Sequence, residues 1–378
     1  MIYLDNAATS WPKPETVYRA MDTFIRELGA NPGRASFRMA VEAEKTIREA
    51  RILIKDFFNA PSPDQIIFTL NCTDALNIAL KGLLSPGDHV ITSHLEHNSV
   101  SRPLNRLAET GVVYSRVLHH PDGLIDPAEF KKMIRPETKL IVLTHASNVL
   151  GTLEPVREIG CIAAEHDIIF LLDAAQTAGA VPIDLKEMQV GILACPGHKG
   201  LLGPPGTGLL VINDPVEIIS LREGGTGSLS QEPVQPSYFP DRLEAGTPNT
   251  AGIAGLKAGV EFIVKEGIGT VRNHELMLMD FLLTELLRIP GVTVYGTPDA
   301  EKRIGLVSFN IEGWEPQDVA AVLETKFEIA CRAGLHCAPW AHHSLGTYPL
   351  GAVRFGISYF NQKSEIAAAI AAVSALAK

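Results

Sequence analysis

The sequence predicts an α/β protein: a large, mostly parallel sheet of seven strands flanked by helices, with a smaller α+β unit towards the C-terminus. Between about residues 66 and 212, short apolar runs alternate with amphipathic stretches, a pattern typical of βα units around a buried sheet. At 378 residues the chain exceeds the size of a single hydrophobic core. We therefore expect a large domain over residues 15–250, and a small domain over residues 251–378 that also includes residues 1–14.

Several of the predicted strands are followed directly by polar residues. Ligands bind at the carboxyl ends of strands in open α/β sheets, so we expect these residues to converge on one crevice. The predicted strands are Gln65–Thr69, His89–Thr92, Val112–Arg116, Lys139–Thr144, Ile168–Leu172, Gly191–Cys195 and Gly208–Val211. The polar segments are Asn71 to Asp74, His94 to His97, His145 to Asn148, Asp173 to Gln176, and His198 with Lys199.

The segments on either side of the sheet region are predicted to be mainly helical. Pro14–Leu28 and Ala40–Phe58 are predicted helices separated by the loop Gly29–Phe37, which contains glycine and proline. Gly224–Asn249 is a long irregular stretch, and such stretches in compact domains are usually functional. Two further helices and a βαβ-like tail are predicted at Ile253–Gly267, Thr270–Leu287, Gly305–Asn310, Pro316–Lys326, Val353–Ser358 and Lys363–Ala377.

Composition narrows the class of partner. The net charge is −10 with no cluster of lysine or arginine, so we expect neither nucleic acid nor a membrane as partner, but a small molecule. The five cysteines contain no CxxC pair, which argues against a disulfide framework and favours a reducing cytoplasm. The N-terminus lacks the basic and apolar regions of a signal peptide. We expect no metal site, because adjacent histidines such as His342 and His343 rarely bind one ion.

Asp173 and Lys199 follow predicted strands and suit chemistry on a pyridine ring. A carboxylate at a sheet end can hold a protonated ring nitrogen, and the amide of Gln176 can bond a phenolic oxygen, although an aspartate such as Asp173, taken alone, more often caps the next helix. Lys199 lies in Gly197-His198-Lys199-Gly200, where glycines allow close backbone approach. A buried amine there can form an imine, whereas a lone lysine on such a turn is usually a surface residue.

Three further residues each leave two interpretations open. The helix start at Thr73 could bind phosphate through free backbone amides, or could be an ordinary N-cap. His97 could stack on a ring and carry protons, or could be hydrogen-bonded at the rim of the sheet. Arg354 is a charge inside an apolar strand, so it requires an anion, which could be a substrate carboxylate or a structural ion-pair partner.

Cys337 is the cysteine best placed to be exposed and reactive. It lies in a loop from Arg332 to Pro339 that contains glycine and proline, and Arg332 and His336 are near enough in sequence to lower the pKa of its thiol. The other four cysteines are predicted to be structural: Cys72, Cys161, Cys195 and Cys331.

Ordered motifs extend over nearly the whole chain. They are Tyr3 to Ala8, Thr73-Asp74, Glu96-His97-Asn98, Thr144 to Gly151, Asp173 to Gln176, Gly197 to Gly200, Glu244 to Asn249, and Arg332 to Pro339. Together they resemble the class V aminotransferase family of fold-type I pyridoxal-phosphate enzymes. Within that family the chain is most similar to the cysteine desulfurases, and its short loop around Cys337 resembles that of their second group.

The resemblance implies a pyridoxal-phosphate enzyme that converts L-cysteine to L-alanine and passes the sulfur, as a persulfide, to Cys337. It implies that Lys199 forms the Schiff base with the cofactor, Asp173 contacts the pyridine nitrogen, and His97 stacks on the ring and aids proton transfer. Contacts to the phenolic oxygen are implied for Gln176 and Asn148. Phosphate contacts are implied for Cys72, Thr73, His198 and, from a second subunit, Thr247. Substrate contacts are implied for Arg354, Asn148 and Ala8.

The resemblance also implies a homodimer with shared sites and a sulfur-acceptor protein, as in iron–sulfur cluster assembly. Two positions depart from the family pattern: Pro196 replaces a phosphate-binding serine, and Leu335 replaces a histidine often found two residues before the cysteine. Three alternatives remain open at this point: a selenocysteine lyase, another class V lyase or aminotransferase, and a catalytically idle cofactor-binding scaffold.

Overall fold

The computed structural model describes residues 1–33 and 36–378, so the predicted loop Gly29–Phe37 lies partly outside the described residues. All seven predicted strands form one large sheet, each with ends within one residue of the prediction. The strands of this half of the chain are β1 (Ile2–Tyr3), β2 (Ile66–Thr69), β3 (His89–Ser93), β4 (Val113–Val117), β5 (Thr138–Thr144), β6 (Ile169–Asp173), β7 (Ile192–Pro196) and β8 (Gly208–Ile212).

The large sheet has the strand order β2-β8-β7-β6-β5-β3-β4. Neighbours from β7 to β4 pair in parallel, whereas β8 is antiparallel to both β7 and β2. Parallel neighbours need a crossover of a dozen or more residues, and only residues 197–207 separate β7 from β8. This short connection reverses the chain, and it carries Lys199.

Helices cover both faces of the sheet. Within β6, Phe170 and Leu172 belong to one buried cluster and Leu171 to another, as expected for side chains that alternate between two buried faces. Helices α3 and α4 pack on the face of Leu171, and α2, α6 and α7 on the opposite face. The helices are α1 (Glu15–Thr23), α2 (Arg38–Phe58), α3 (Cys72–Leu83), α4 (Asn98–Ala108), α5 (Pro127–Met133), α6 (Val156–Glu165), α7 (Thr250–Glu266), α8 (Ile268–Leu286), α9 (Pro316–Phe327), α10 (Pro339–Leu345) and α11 (Lys363–Leu376), with a π-helical turn at Phe24–Leu28 and 3-10 turns at Pro63–Gln65 and Ala300–Lys302.

The C-terminal region contains a second sheet, of order β12-β13-β10-β9. Its strands are β9 (Val292–Tyr295), β10 (Leu306–Ile311), β12 (Arg332–Gly334) and β13 (Ala352–Gly356), and all of its pairings are antiparallel. The predicted βαβ-like tail is therefore wrong in its implied parallel pairing. The reason is that β11 (Ile329–Ala330), β12 and α10 intervene between α9 and β13 and reverse the chain once more.

The N-terminus is tied to this C-terminal region, because β1 pairs in parallel with β11. Leu4, which follows β1, is fully buried in the hydrophobic cluster around the second sheet. Thr9 and Ser10, in contrast, donate to the carbonyls of His198 and Lys199, so the grouping of residues 1–14 with the small domain is still a prediction. The domain boundary near residue 250 stays a prediction.

Three buried glutamates should make stability depend on pH. Burial raises the pKa of Glu96, Glu154 and Glu275 to about 8 in each case. Between the ordinary glutamate pKa of 4.5 and about 8, the unfolded chain binds fewer protons than the folded one. The free energy of unfolding should therefore fall as pH rises from about 4.5 to about 8. Above about pH 8 these three glutamates are ionised in both the folded and the unfolded chain, so they should lower it no further.

The Glu154→Gln protein should lose less stability than the wild type between about pH 5 and pH 8, by on the order of 1–4 kcal/mol. Denaturant unfolding at several pH values measures this difference. Glu158→Gln, on the exposed side of α6, is the matched control and should follow the wild type. The same pH dependence in Glu154→Gln and wild type would contradict the assignment.

Candidate active site

A cavity of about 160 Å³ lies at the carboxyl ends of β5, β6 and β7. We call it the inner cavity. Its walls include eight residues singled out from the sequence, which come from five different segments of the chain. These are Cys72, Thr73, His97, Asn148, Asp173, Gln176, His198 and Lys199.

Lys199 lies on the short connection between β7 and β8. A Cβ atom at Gly197 would lie 2.1 Å from Oγ1 of Thr207, and one at Gly200 would lie 2.5 Å from the carbonyl oxygen of Ala178, so both positions need glycine. Burial, followed by the positive charge of Arg354, lowers the pKa of Lys199 to about 8. Within the described part of the chain the amine has neither an ion pair nor a hydrogen bond, which leaves it available as a nucleophile.

Asp173 is the last residue of β6 and is buried. Its Oδ1 accepts hydrogen bonds from the backbone N–H of Ala175 at 2.9 Å and from Sγ of Cys72 at 3.5 Å. Burial raises the pKa of this carboxyl, although the Ala175 bond opposes the rise. Among residues 1–33 and 36–378 no donor bonds Oδ2, so that atom can accept a hydrogen bond from a ligand.

His97 is the N-cap residue of α4. Its Nδ1 accepts the backbone N–H of Ser99 at 3.1 Å and lies 2.8 Å from Oγ of Ser99, which in turn lies 2.7 Å from Oγ1 of Thr73. Burial, followed by the charge of Lys199, lowers the pKa of His97 to about 4. The ring is therefore neutral near pH 7, and because Nδ1 accepts an N–H, its proton belongs on Nε2.

Ser99 fixes the His97 ring, and it was not singled out from the sequence. The signal was present, because Ser99 stands two residues after His97, where an N-cap side chain finds its backbone partner. Reading His97 as a cap would have identified Ser99, but histidine is an unusual cap residue. The two interpretations of His97 are not exclusive, since it caps a helix at the rim of the sheet and also lines the cavity.

The amides of Gln176 and Asn148 already have protein partners. Nε2 of Gln176 donates to the carbonyl of Ala7 at 3.1 Å, and Nδ2 of Asn148 donates to the carbonyl of His336 at 2.6 Å. Ala8 lies in the turn next to Ala7 and is not part of the wall of the inner cavity. These contacts connect the N-terminal turn and the Cys337 loop to the cavity.

The start of α3 offers free backbone donors to the cavity. Asn71 caps this 12-residue helix by accepting the backbone N–H groups of Asp74 and Ala75. The amides of Cys72 and Thr73 have no acceptor among the described residues, which suits an anion at the helix N-terminus. The neighbouring Pro196 provides no N–H or hydroxyl group.

His198 and Thr247 were both predicted to contact phosphate, and the structure places them differently. His198 lines the inner cavity, its Nδ1 is buried without a partner, and burial lowers its pKa to about 4. Thr247 lines a separate cavity of about 250 Å³ together with Thr69 and Arg222. Thr247 is therefore not part of the inner cavity of its own chain.

The Cys337 loop is a strained turn held against the large sheet. His336 and Cys337 have φ angles of 49° and 58°, in the left-handed region that costs non-glycine residues about 1–2 kcal/mol each. The carbonyl of Cys337 accepts the backbone N–H of Asn98 at 2.7 Å, and that of His336 accepts the amide of Asn148. These bonds connect the loop to α4 and to the end of β5, while the Cys337 side chain stays exposed.

Arg332 is the cation beside Cys337. Its guanidinium nitrogen lies 3.9 Å from Sγ of Cys337. The expectation that His336 is a second cation beside this thiol is wrong, because His336 is buried, and burial together with Arg354 lowers the pKa of its ring to about 2. A neutral imidazole cannot stabilise a thiolate as a cation does.

Cys337 opens into a second, outer cavity of about 400 Å³. Thr73, His97 and Ser99 line both the outer and the inner cavity. The exposed thiol and the free amine therefore lie in adjoining compartments that share the His97 side chain.

Arg354 has a structural ion-pair partner. It is buried in β13 and donates to Oδ1 of Asp5 and to the carbonyl of Asn148, both at 3.0 Å. The sequence left open whether Arg354 binds a substrate carboxylate or a structural ion-pair partner, and in this structure it binds the structural partner Asp5. Nε of Arg354 is buried and has no partner among the described residues.

The described part of the chain contains neither a metal-binding cluster nor a membrane-spanning helix. No group of three or more histidine, cysteine, aspartate or glutamate side chains there is arranged to hold a metal ion. No helix within those residues has the length and apolar character needed to cross a membrane.

A mostly parallel α/β sheet whose strand ends bring together a free, half-buried lysine, a buried aspartate and an open helix N-terminus defines a fold-type I enzyme, which confirms the predicted fold class. The chain matches the aminotransferase class-V family over residues 2–368, and it belongs to that family.

The chain is similar in sequence and structure to cysteine desulfurases of this family over almost the full length of both chains. The chain is 37% identical to a probable cysteine desulfurase of Methanothermobacter thermautotrophicus, over 97% of this chain and 92% of that one. It is 34% identical to an apo cysteine desulfurase of Thermococcus onnurineus, with a TM-score of 0.94 over 100% of this chain and 94% of the other. It is 28% identical to the Escherichia coli cysteine desulfurase CsdA, with a TM-score of 0.89 over 99% and 94%.

Proposed function

We propose that this chain is a pyridoxal-phosphate-dependent cysteine desulfurase, which converts L-cysteine to L-alanine and holds the released sulfur as a persulfide on Cys337. One observation carries the proposal: the exposed Cys337 thiol and the Lys199 amine lie in adjoining cavities that share the wall formed by His97. Amino transfer alone requires no thiol at that position. The names of the relatives support the same activity.

The inner cavity fits the cofactor. Lys199 would attach it covalently, Oδ2 of Asp173 would accept from the pyridine nitrogen, and the side chain of Gln176 would face the phenolic oxygen. The free amides of Cys72 and Thr73, with His198, would bind its phosphate. When bound, pyridoxal phosphate supplies an electron sink for the charge that develops at the substrate Cα.

Protons would move between groups of the chain itself. Because its pKa is about 8, the Lys199 amine is partly uncharged near neutral pH and can take the proton from the substrate Cα. The proton of the neutral His97 ring is on Nε2, because Nδ1 accepts the backbone N–H of Ser99. Nε2 would therefore be the atom of His97 that donates a proton in the inner cavity. The carboxylate of Asp173 would be engaged with the pyridine nitrogen, so it would not compete for the Cα proton.

The sulfur step would be an attack by the Cys337 thiolate on the substrate sulfur. An S–S bond forms as the substrate Cβ–S bond breaks, so the thiol sulfur of Cys337 is oxidised to the persulfide level and Cβ is reduced to the methyl group of alanine. Overall, one thiol and one L-cysteine give one persulfide and one L-alanine, and no external oxidant is needed.

We propose that Arg354 binds the substrate carboxylate and that Asn148 and Ala8 also contact the substrate. The charge of Arg354 is close enough to Lys199 to lower the pKa of that amine. A carboxylate at Arg354 would have to replace Asp5, the present partner of the guanidinium. We expect Asp5 to act as a placeholder that keeps the buried charge paired between turnovers.

A dimer would complete the site. We propose that Thr247 reaches the phosphate of a second subunit, because in its own chain it lines a different cavity. Sedimentation should give twice the chain mass of 40.8 kDa. A monomeric, fully active enzyme would contradict the shared site. We further propose a reducing cytoplasm as the location, which the five free cysteines support.

Substrate comparison tests the proposed activity. The cofactor-loaded protein is incubated with L-cysteine, L-selenocysteine or L-aspartate in the presence of dithiothreitol, with and without pyruvate, and both alanine and sulfide are quantified. L-cysteine should give alanine and sulfide over many turnovers. Amino-group transfer to pyruvate without release of sulfide would contradict the proposal and identify an aminotransferase instead.

The lowered pKa of Lys199 predicts how the cofactor-free protein takes up pyridoxal phosphate. Only the uncharged amine is nucleophilic, so the capture rate should rise with pH up to about 8 and level off above it. Stopped-flow absorbance between about pH 6 and pH 11 measures the profile. A rate that keeps rising towards 10.5, the ordinary lysine pKa, would show that the amine is not perturbed.

A further inference from the structure

The outer cavity is a groove between α3 and α4 that leads away from Cys337. Thr73, Asn77 and Lys81 line it from α3, and Asn98, Arg102 and Arg106 line it from α4. In each helix these positions are four residues apart, so they form a row that rises about 6 Å per step. Both helices begin at the active site, because Oγ1 of Thr73 contacts Ser99 and the N–H of Asn98 binds the Cys337 carbonyl. The rows therefore run outwards from the thiol for about 12 Å.

This groove, which we call the basic groove, is positively charged on a chain of net charge −10. Lys81, Arg102 and Arg106 line it, and no aspartate or glutamate does. Arg106 is paired with Glu109, whereas Lys81 and Arg102 have no acidic partner among the described residues. Arg332 adds a fourth cation beside the thiol. Unpaired cations this close to each other repel, which favours an anionic ligand.

We propose that the basic groove binds an acidic segment of the protein that takes sulfur from Cys337. This inference rests on the proposed desulfurase activity. The occupant carries its thiol at Cys337 and its carboxylates along the two rows. A small anionic thiol would reach only the inner end of the groove, whereas Lys81 and Arg106 lie two helical turns away, at a distance that suits an extended peptide segment.

The transfer at this site balances without a further reactant. The acceptor thiol loses a proton, and its thiolate attacks the terminal sulfur of the Cys337 persulfide. A new S–S bond forms on the acceptor as the S–S bond to Cys337 breaks, and Cys337 leaves as a thiolate next to Arg332. One persulfide is consumed and one is made, so there is no net oxidation.

Charge-matched peptides test the proposal on the dimeric, cofactor-loaded enzyme. Cys337 is first converted to its persulfide with L-cysteine and checked by mass spectrometry. Its discharge is then timed with a peptide that holds one cysteine followed by aspartates, and with a matched peptide in which lysines replace the aspartates. At low salt the acidic peptide should react about tenfold faster or more, and the preference should shrink as salt is raised.

The rate of persulfide discharge by the acidic peptide, divided by the rate for the basic peptide, should fall towards one in Arg102→Glu and in Lys81→Glu. It should be unchanged in the control Lys265→Glu, which reverses an exposed charge at the end of α7. Dithiothreitol, which is uncharged, should discharge all variants at similar rates. Equal rates for the two peptides in wild type, or a preference that survives Arg102→Glu and Lys81→Glu, would overturn the proposal.

The failure of this inference can be distinguished from failure of the proposed function. If L-cysteine gives no persulfide on wild-type Cys337, the desulfurase assignment fails. Cys337 can then be loaded chemically with sodium tetrasulfide, and the same two peptides still test the charge preference of the groove. If L-cysteine does give the persulfide but discharge shows no charge preference, only the groove proposal is overturned.

Discussion

Replacing Cys337 with alanine should lower the formation of persulfide and alanine from L-cysteine by at least about 100-fold, because Cys72, the other cysteine that lines these cavities, is buried and donates to Asp173, and burial raises the pKa of its thiol. Cofactor binding should survive, since the groups that would hold the cofactor lie in the inner cavity. The visible absorbance of the loaded enzyme should therefore match that of the wild type.

Cys161→Ala is the matched control, because Cys161 is the other exposed cysteine in the described part of the chain and lies on α6. This variant should keep wild-type turnover. Alanine and persulfide-bound sulfur are quantified in both variants. Normal sulfur transfer in Cys337→Ala would remove Cys337 as the nucleophile and leave the proposed mechanism without its central step.

Replacing Lys199 with alanine should have a similarly large effect for a different reason. The variant loses both the covalent attachment of the cofactor and the base for the Cα proton, so turnover should fall by at least about a thousandfold. The Cys337 thiol should remain reactive, because its loop is held by Asn98 and Asn148 and not by Lys199. Alkylation of Cys337 by iodoacetamide should therefore proceed at the wild-type rate.

Lys13→Gln provides the control for Lys199→Ala. Lys13 is a second amine near the site, and burial lowers its pKa to about 8, but it donates to Oγ of Ser10 and to the carbonyl of His198. Because it is occupied by these bonds, it should not attach the cofactor. Borohydride reduction followed by peptide mapping should find the cofactor on the peptide that contains Lys199. Attachment at Lys13 in the wild type would contradict the assignment.

The strands of the large sheet could be predicted from the sequence alone. Most of these strands are short apolar runs buried on both faces and ended by polar residues, so their limits are visible without tertiary information, and the predicted ends differ by at most one residue. The same polar endings predicted the inner cavity, because parallel strands bring their carboxyl ends to one edge. Residues such as Asp173 and Lys199 were identifiable for that reason.

Other features depend on contacts between distant residues and could not be predicted in this way. Asp5 and Arg354 pair across 349 positions of the chain, and nothing local in either segment indicates the partner. Strands such as β11 and β12 have only two or three residues, too few to show a period. The neutral state of His336 results from burial beside Arg354 in the folded structure, whereas the sequence shows only a histidine next to a cysteine.

The central claim is that L-cysteine loses its sulfur to Cys337 in one turnover. The most direct measurement is a single-turnover incubation of the cofactor-loaded enzyme with L-cysteine in the absence of any thiol reductant. Alanine is quantified, and the persulfide is mapped by mass spectrometry in the same sample. We predict one alanine for each persulfide, located on the peptide that contains Cys337. Alanine without a persulfide on that peptide, or a persulfide on another cysteine, would contradict the account.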